Sequence, residues 1–281
     1  IVVIGAGQAG ASLCAKLRQI GYGEKLSLFG EEVFPPYQRP PLSKKYLLGE
    51  IDVERLYIRP KKFYSEQGID LNLNSPISKI DIRKKVIYSK GNSTSFDQLI
   101  FTTGSTPRKL PNSLSQNLKN IFYVRSILDV NYMASHLVEG KKVLIIGGGY
   151  IGLEAASVCR KLGVNVKIIE MDKRILNRVS SSETANYFRE LHQNNGVEIL
   201  ERVTLDALIG ETHVEKAILS DGTQMNIDLV IAGIGVLPND NLASESGLDI
   251  ENGIKTNSLG QTSDESIWAA GDCSSFPWRG K

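Results

Sequence analysis

Cysteine is scarce. The chain carries only Cys14, Cys159 and Cys273 among 281 residues, and no two of them form a C-x-x-C pair. That spacing argues against a disulfide scaffold, a zinc site and a dithiol redox centre, and it fits a reducing, cytoplasmic compartment. Histidine is equally rare. His136, His192 and His213 fall in polar helix or turn contexts outside every motif, so they read as surface residues rather than as a metal-ligand cluster. No apolar run is long enough to cross a bilayer, which leaves no membrane partner expected. Charge of one sign is also missing: a net +2 is too small to single out nucleic acid or an anionic surface as the main partner. The chain opens on Ile1 with "IVVIG", already the middle of a strand, so both ends look trimmed and a targeting segment lies beyond what the residues address.

What is present is an internal repeat. At 281 residues with 41% hydrophobic and 23% charged, the chain has material for two domains with full cores. "IVVIGAGQAGASLCAKLRQIGYGEKLSLFGE" (1–31) matches "KVLIIGGGYIGLEAASVCRKLGVNVKIIE" (142–170) feature by feature: apolar strand, G-x-G-x-x-G turn, helix, glycine break, second strand, acid. Helical spacing puts Ala9, Leu13, Leu17 and Ile20 on one apolar face, and Ile151, Ala155, Val158 and Leu162 on the other helix's equivalent face. After each unit comes a short strand, a meander of alternating strands, and a return strand ending in glycine, "SFDQLIFTTGS" and "IDLVIAGIG". Gly- and Pro-containing linkers fall at 104–113 and 235–241, and "GIKTNSLGQTSDESIWAAGD" reads as two further strands that rejoin the first domain. The expectation is an α/β fold of two related Rossmann-like dinucleotide-binding domains, each with a β-meander, with residues 1–107 and 236–281 forming one and 108–235 the other.

A lone G-x-G-x-x-G is weak evidence, and two copies, each with strand, helix and trailing acid, make chance a poor explanation. Gly5, Gly7 and Gly10 lead to Glu31, and Gly147, Gly149 and Gly152 lead to Glu170. The first glycine permits the tight turn, the second lets backbone N–H groups approach a pyrophosphate, and the third lets helix and strand pack closely. Two dinucleotides on one chain suggest electron traffic, typically between a flavin and a nicotinamide. Glu170 repels a 2′-phosphate, which favours NAD over NADP, although Lys173 and Arg174 nearby leave some room for NADP.

The series "GAGQAG", "YQRPPLSKKYL", "TTGSTPR", "GGGYIGLEAA", "GIGVLPN" and "IWAAGDC" resembles the FAD-dependent ferredoxin reductases, the NADH-oxidising components of oxygenase systems related to rubredoxin and putidaredoxin reductases. The resemblance runs the length of the chain, and "RPPLSK" is its most specific piece. It implies a glutathione-reductase-like fold with an FAD domain, an NAD domain and a C-terminal interface domain, the last absent from these residues. By position, Gly5, Gly7, Ala9 and Gly10 would line the FAD pyrophosphate and Glu31 the adenosine ribose. Arg39 would lie over the phosphates, Pro41 against the flavin ring and Lys44 on its N5 side. Thr103, Gly104 and Arg108 would mark the crossing into the NAD domain, and Asp272 would hold the ribityl chain. Arg125 matches an FAD-contacting arginine but reads nearly as well as a surface arginine before a helix. On the NAD side the resemblance implies Gly147, Gly149, Tyr150, Ile151, Gly152, Glu154, Glu170 and Gly235.

Glu154 has two readings: a carboxylate favoured by the N-terminus of its helix, or the partner of Lys44 beside flavin and nicotinamide. The second implies a positioning pair, since hydride transfer needs no protein acid or base. "PPLSK" can also be read as a proline-pinned loop with Ser43 capping a short helix. Where coenzyme A-disulfide reductase-like enzymes carry a cysteine, this chain has Ser43, so a thiol mechanism is not expected. The implied activity passes electrons from NADH through FAD to a ferredoxin or rubredoxin. An NADH oxidase or nitrite-reductase flavin module is a rival enzyme, and an apoptosis-inducing-factor-like NADH-responsive binding protein is a rival of another class. The clusters "RPKK" (59–62) and "RKK" (83–85) read either as docking charge for an acidic ferredoxin or as solvated turns.

Overall fold

Val2–Ile4 and Val143–Ile146 are apolar at every position, the pattern of strands covered on both faces, and each is the middle strand of a parallel sheet. The computed structural model describes residues 1–115 and 117–278. They divide into two compact units, one of residues 1–38, 53–106 and 237–278 and the other of residues 39–52 and 107–236 without residue 116.

In the first unit, Val2–Ile4 lies between Leu26–Phe29 and Leu99–Phe101, with Ile69–Asn72 and Ile267–Ala269 at the edges. The helix Gln8–Gln19 links the first two strands, and buries Gly10, Ala11 and Cys14. A three-stranded antiparallel meander, Ile77–Asp81, Val86–Ser89 and Asn92–Ser95, precedes the return strand. Ile80, Ile87 and Phe96 carry its apolar face into a core with Phe101 and Ile267.

The second unit repeats the plan. Lys142–Ile146 lies between Asn165–Glu170 and Leu229–Ala232, with Val197–Glu201 beyond the former and Ile121–Phe122 beyond the latter. Its meander is Leu205–Ile209, Lys216–Leu219 and Gln224–Asn226. In both sheets a fifth strand flanks the return strand. The first unit takes it from the end of the chain (Ile267–Ala269), whereas the second takes it from the segment before its own first strand (Ile121–Phe122).

Three details differ from the sequence-based expectation. Residues 39–52, expected in the first domain, group with the second unit, because Ser43 and Lys44 bond to Glu154, Arg39 to the carbonyl of Arg125, and Tyr46 to Asn131. Ile20 is exposed, since the first fingerprint helix ends at Gln19 and leaves Ile20 as its C-cap. Ile151 is exposed as well: it sits in the first turn of Tyr150–Lys161, and the buried face of that helix is formed by Gly152, Leu153, Ala155, Ala156, Val158 and Cys159.

Glycine decides how closely each fingerprint helix approaches its strand. A Cβ on Gly152 would run into the Gly147 carbonyl oxygen, and one on Gly10 into that of Gly5, whereas a Cβ on Gly149 or Gly7 would meet nothing within 4 Å. Gly152→Ala is therefore expected to cost about 1–3 kcal/mol through overpacking and to lower the thermal midpoint. Gly149→Ala should leave the midpoint nearly unchanged while weakening dinucleotide binding. Thermal unfolding followed by circular dichroism checks the first, and calorimetry with NAD+ the second.

Candidate functional site

Both fingerprint helices begin at a glycine N-cap in extended conformation, and at neither does a side chain accept a hydrogen bond from the first turn. Elsewhere the chain does cap. Ser126 and Asp129 form a capping box, and Ser181 accepts from the Thr184 N–H. The first intrahelical bonds are Ala11 N–H to the Gly7 oxygen and Leu153 N–H to the Gly149 oxygen, so the earlier N–H donors of each turn have no partner within the helix. Space stands open beside Gly7 and Gly149. Uncapped donors, a positive helix end and room for a bulky anion are what a pyrophosphate requires, so both turns fit a dinucleotide.

Around the first turn, Gly5 takes φ +112° and lies against the Thr102 carbonyl, and the Thr102 hydroxyl donates to the Gly5 oxygen at 2.8 Å. Gly271 (φ +84°) is so close to Ala9 that a Cβ there would lie 3.1 Å from the Ala9 methyl. The loop after Ile267–Ala269 thus reaches the start of the helix. Next to Gly271, Asp272 accepts from the Ser105 hydroxyl at 2.8 Å. Thr103 is clamped by Asn239, its hydroxyl donating to the Asn239 carbonyl at 2.6 Å and its own carbonyl accepting from the Asn239 amide at 2.8 Å. Gly104 follows with φ +70°. Ser105 lies in "TTGSTPR" and Asn239 in "GIGVLPN", yet the sequence assigns neither a role, because their partners are 167 and 136 residues away.

The two acids are not equivalent. The N–H of Gly5 bonds to Phe29 and that of Gly147 to Ile169, which aligns Gly30, not Glu31, with Glu170. Gly30 occupies that place because a Cβ there would strike the Ala6 methyl. Glu31 lies one residue further on and is exposed. Glu170, by contrast, accepts from the Gly148 N–H at 2.7 Å and the Asp172 N–H at 2.8 Å, and so ties the second turn to the strand end.

The segment after Glu170 is equally tied down. Glu201 accepts from the Ile175 N–H and from Arg189, both at 2.8 Å. The Arg174 guanidinium turns inward to backbone carbonyls of this loop, with its shortest bond, 2.8 Å, to Ser180. The room for NADP foreseen at Lys173 and Arg174 is thereby reduced to the exposed Lys173. Gly235 takes φ +102°, and its carbonyl accepts from the Arg108 N–H at 2.9 Å. Tyr150 is exposed at the start of the second helix.

Proline at both Pro40 and Pro41 starts a short 3-10 turn, Pro40–Ser43, with Leu42 and Ser43 buried. Lys44 follows, and its ammonium reaches Glu154 Oε2 at 2.6 Å and the Pro40 carbonyl at 3.1 Å. Glu154 is the fifth residue of its helix, beyond the first turn where the helix end favours a carboxylate, so its partners are side chains rather than the helix dipole. Ser43 does not cap a helix: it closes the 3-10 turn and donates to Glu154 Oε2 at 2.8 Å. Arg39 donates to the Arg125 carbonyl at 2.6 Å, which brings these two predicted residues together.

The histidines are less uniformly superficial than their contexts suggested. His136 packs on Phe122 and Tyr132, and burial lowers the pKa of His192. Among the described residues no group of His, Cys, Asp or Glu could hold a metal ion, and no helix is long and apolar enough to cross a membrane.

Two open, uncapped glycine turns, each at the carboxyl end of the middle strand of a parallel sheet, define an α/β protein built to hold two dinucleotides. The family model described as pyridine nucleotide-disulphide oxidoreductase matches residues 1–280, and the chain belongs to that family. Membership makes it an oxidoreductase whose cofactors are FAD and NAD(H). The rubredoxin-NAD(+) reductase of Ectopseudomonas oleovorans is 38% identical over 275 residues, covering 97% of this chain and 71% of that protein. Putidaredoxin reductase of Pseudomonas putida is 36% identical, covering 98% of this chain and 67% of the relative. Among solved structures, a covalent putidaredoxin reductase–putidaredoxin complex matches with TM-score 0.95 and 34% identity, over 99% of this chain and 68% of that one. The chain spans about two thirds of the length of these relatives.

Family members named for disulphides raise the question of thiols. Cys14, Cys159 and Cys273 are all buried and unpaired, and burial pushes the thiols of Cys14 and Cys159 up to about 12. At pH 8 roughly one molecule in 10,000 carries either thiolate, the reactive form. Iodoacetamide at pH 8 should leave both unlabelled in the native chain and label both in denaturant, as read by mass spectrometry.

Proposed function

We propose that the chain passes electrons from NADH through FAD to a small iron–sulfur protein, a ferredoxin or rubredoxin, as the reductase component of an oxygenase system. The observation that carries this reading is the pair of uncapped glycine turns on one chain, which provides for a donor and a carrier together. The relatives support the acceptor class: they are named for rubredoxin, ferredoxin and putidaredoxin, and one solved neighbour is a reductase joined to putidaredoxin. FAD, when bound, converts a two-electron donor into one-electron steps.

In this reading Gly5, Gly7, Ala9 and Gly10 receive the FAD pyrophosphate, Glu31 the adenosine ribose and Asp272 the ribityl chain, with Thr103 and Gly104 shaping the neighbouring strand end. Arg39, Pro41, Lys44 and Arg125 supply the remaining FAD contacts. Gly147, Gly149, Tyr150, Ile151 and Gly152 receive the NAD pyrophosphate, Glu170 its adenosine ribose, and Gly235 leaves space along its path. Lys44 and Glu154 orient the nicotinamide and hold a balanced charge beside it, and no residue is asked to donate or remove a proton. Residues 1–107 and 236–281 then serve FAD and 108–235 serve NAD, with 39–52 contributed to the latter unit. The cytoplasm is the proposed compartment, in keeping with three separate unpaired cysteines.

The purified chain should carry a flavin absorption spectrum that NADH bleaches under anaerobic conditions. NADH-dependent reduction of cytochrome c should require added ferredoxin. Rapid consumption of NADH by oxygen alone would favour an NADH oxidase. A long-lived complex with NADH and slow delivery to every acceptor would favour an NADH-responsive binding protein, and a chain unable to bind FAD would overturn the proposal.

A further inference from the structure

Lys44 and Glu154 are both long, partly exposed side chains, at 45% and 31%, and a pair of that kind is by itself loosely oriented and weak, worth about 0–1 kcal/mol. A third group changes the geometry. The Ser43 hydroxyl is buried, stands on a turn stiffened by Pro40 and Pro41 and anchored by Leu42, and donates to Glu154 Oε2 at 2.8 Å. Lys44 donates to the same oxygen at 2.6 Å. A neutral hydroxyl bonded to an ionised carboxylate makes a strong, directional contact, and serine has one rotatable bond to immobilise where lysine has four. Glu154 Oε1 accepts from no donor among the described residues. An ionised carboxylate only accepts, so with Oε2 engaged by two donors this second oxygen remains an acceptor for an incoming N–H.

We infer that Ser43 is a positioning residue: by pinning Oε2 of Glu154 together with Lys44, it aims Oε1 at the carboxamide N–H of a bound nicotinamide. The inference rests on the dinucleotide reading of this unit given above and adds a residue outside the glycine turn. It also assigns the buried hydroxyl a task that is not nucleophilic, since its proton is committed to Glu154.

The test compares three probes by calorimetry with wild type, Ser43→Ala and Ser43→Thr: ADP-ribose, NAD+, and the 3-acetylpyridine analogue of NAD+, which lacks the carboxamide N–H. Wild type is expected to bind NAD+ about tenfold tighter than the analogue, the size of one hydrogen bond to a charged acceptor. Ser43→Ala should reduce that preference to about twofold while leaving ADP-ribose affinity unchanged, which also reports that the variant is folded. Ser43→Thr, retaining the hydroxyl, should restore the preference. An unchanged preference in Ser43→Ala, or equal weakening of all three probes, would overturn the positioning role. Wild type that binds ADP-ribose but does not separate NAD+ from its analogue would overturn the carboxamide assignment and leave the dinucleotide site standing. Wild type that binds none of the three would overturn the dinucleotide reading itself and the inference with it.

Discussion

Each unit depends on one close contact, the packing of a helix's first turn against the carbonyl of the glycine that ends its leading strand. Gly10 against Gly5 and Gly152 against Gly147 leave no room for a Cβ. That approach brings a helix start to the end of the middle strand, and the strand order of both sheets is arranged around it. The same contact creates the chemistry. With the third glycine tight and the second glycine open, the free N–H groups of the first turn face solvent instead of a capping side chain. In the proposed reading, stability and anion recognition thus fall to different glycines of one short motif.

The two copies spend their remaining contacts differently. In the first, Ala6 stands over Gly30, the Thr102 hydroxyl closes on the turn, and the loop after Ile267–Ala269 returns through Gly271 and Asp272. In the second, Gly148 leaves room for Glu170 to bond the turn directly, and Arg174, Glu201 and Arg189 hold the following loop. A preorganised acid and a braced loop suit a ligand that must bind and leave repeatedly, because little ordering is required at each encounter. The more encircled first turn suits a ligand that stays.

The repeat was legible because its signals are local. Apolar strands, glycine spacing and the trailing acids all fall within about thirty residues, the span of one βαβ unit. The meanders and the rejoining strand Ile267–Ala269 were equally visible as alternating or apolar runs. What escaped was non-local or register-dependent. Ile121–Phe122 is too short to announce itself as a strand, and it pairs with Val230–Ile231 more than a hundred residues away. The one-residue offset between Glu31 and Glu170 follows from which residue bonds to Gly5 and Gly147, which spacing alone does not reveal. The affiliation of 39–52 and the bonds of Ser43, Ser105 and Asn239 depend on tertiary partners, and serine and asparagine carry no pattern that distinguishes a buried donor from a surface one.

The central claim is that two glycine turns of related design hold two different dinucleotides at once. Binding stoichiometry tests it most directly: the purified chain, saturated with FAD and then titrated with NAD+ in a calorimeter, with bound nucleotides quantified after gel filtration. The account predicts one FAD per chain retained and one NAD+ bound reversibly without releasing it. A single dinucleotide per chain, with NAD+ displacing FAD, would contradict it.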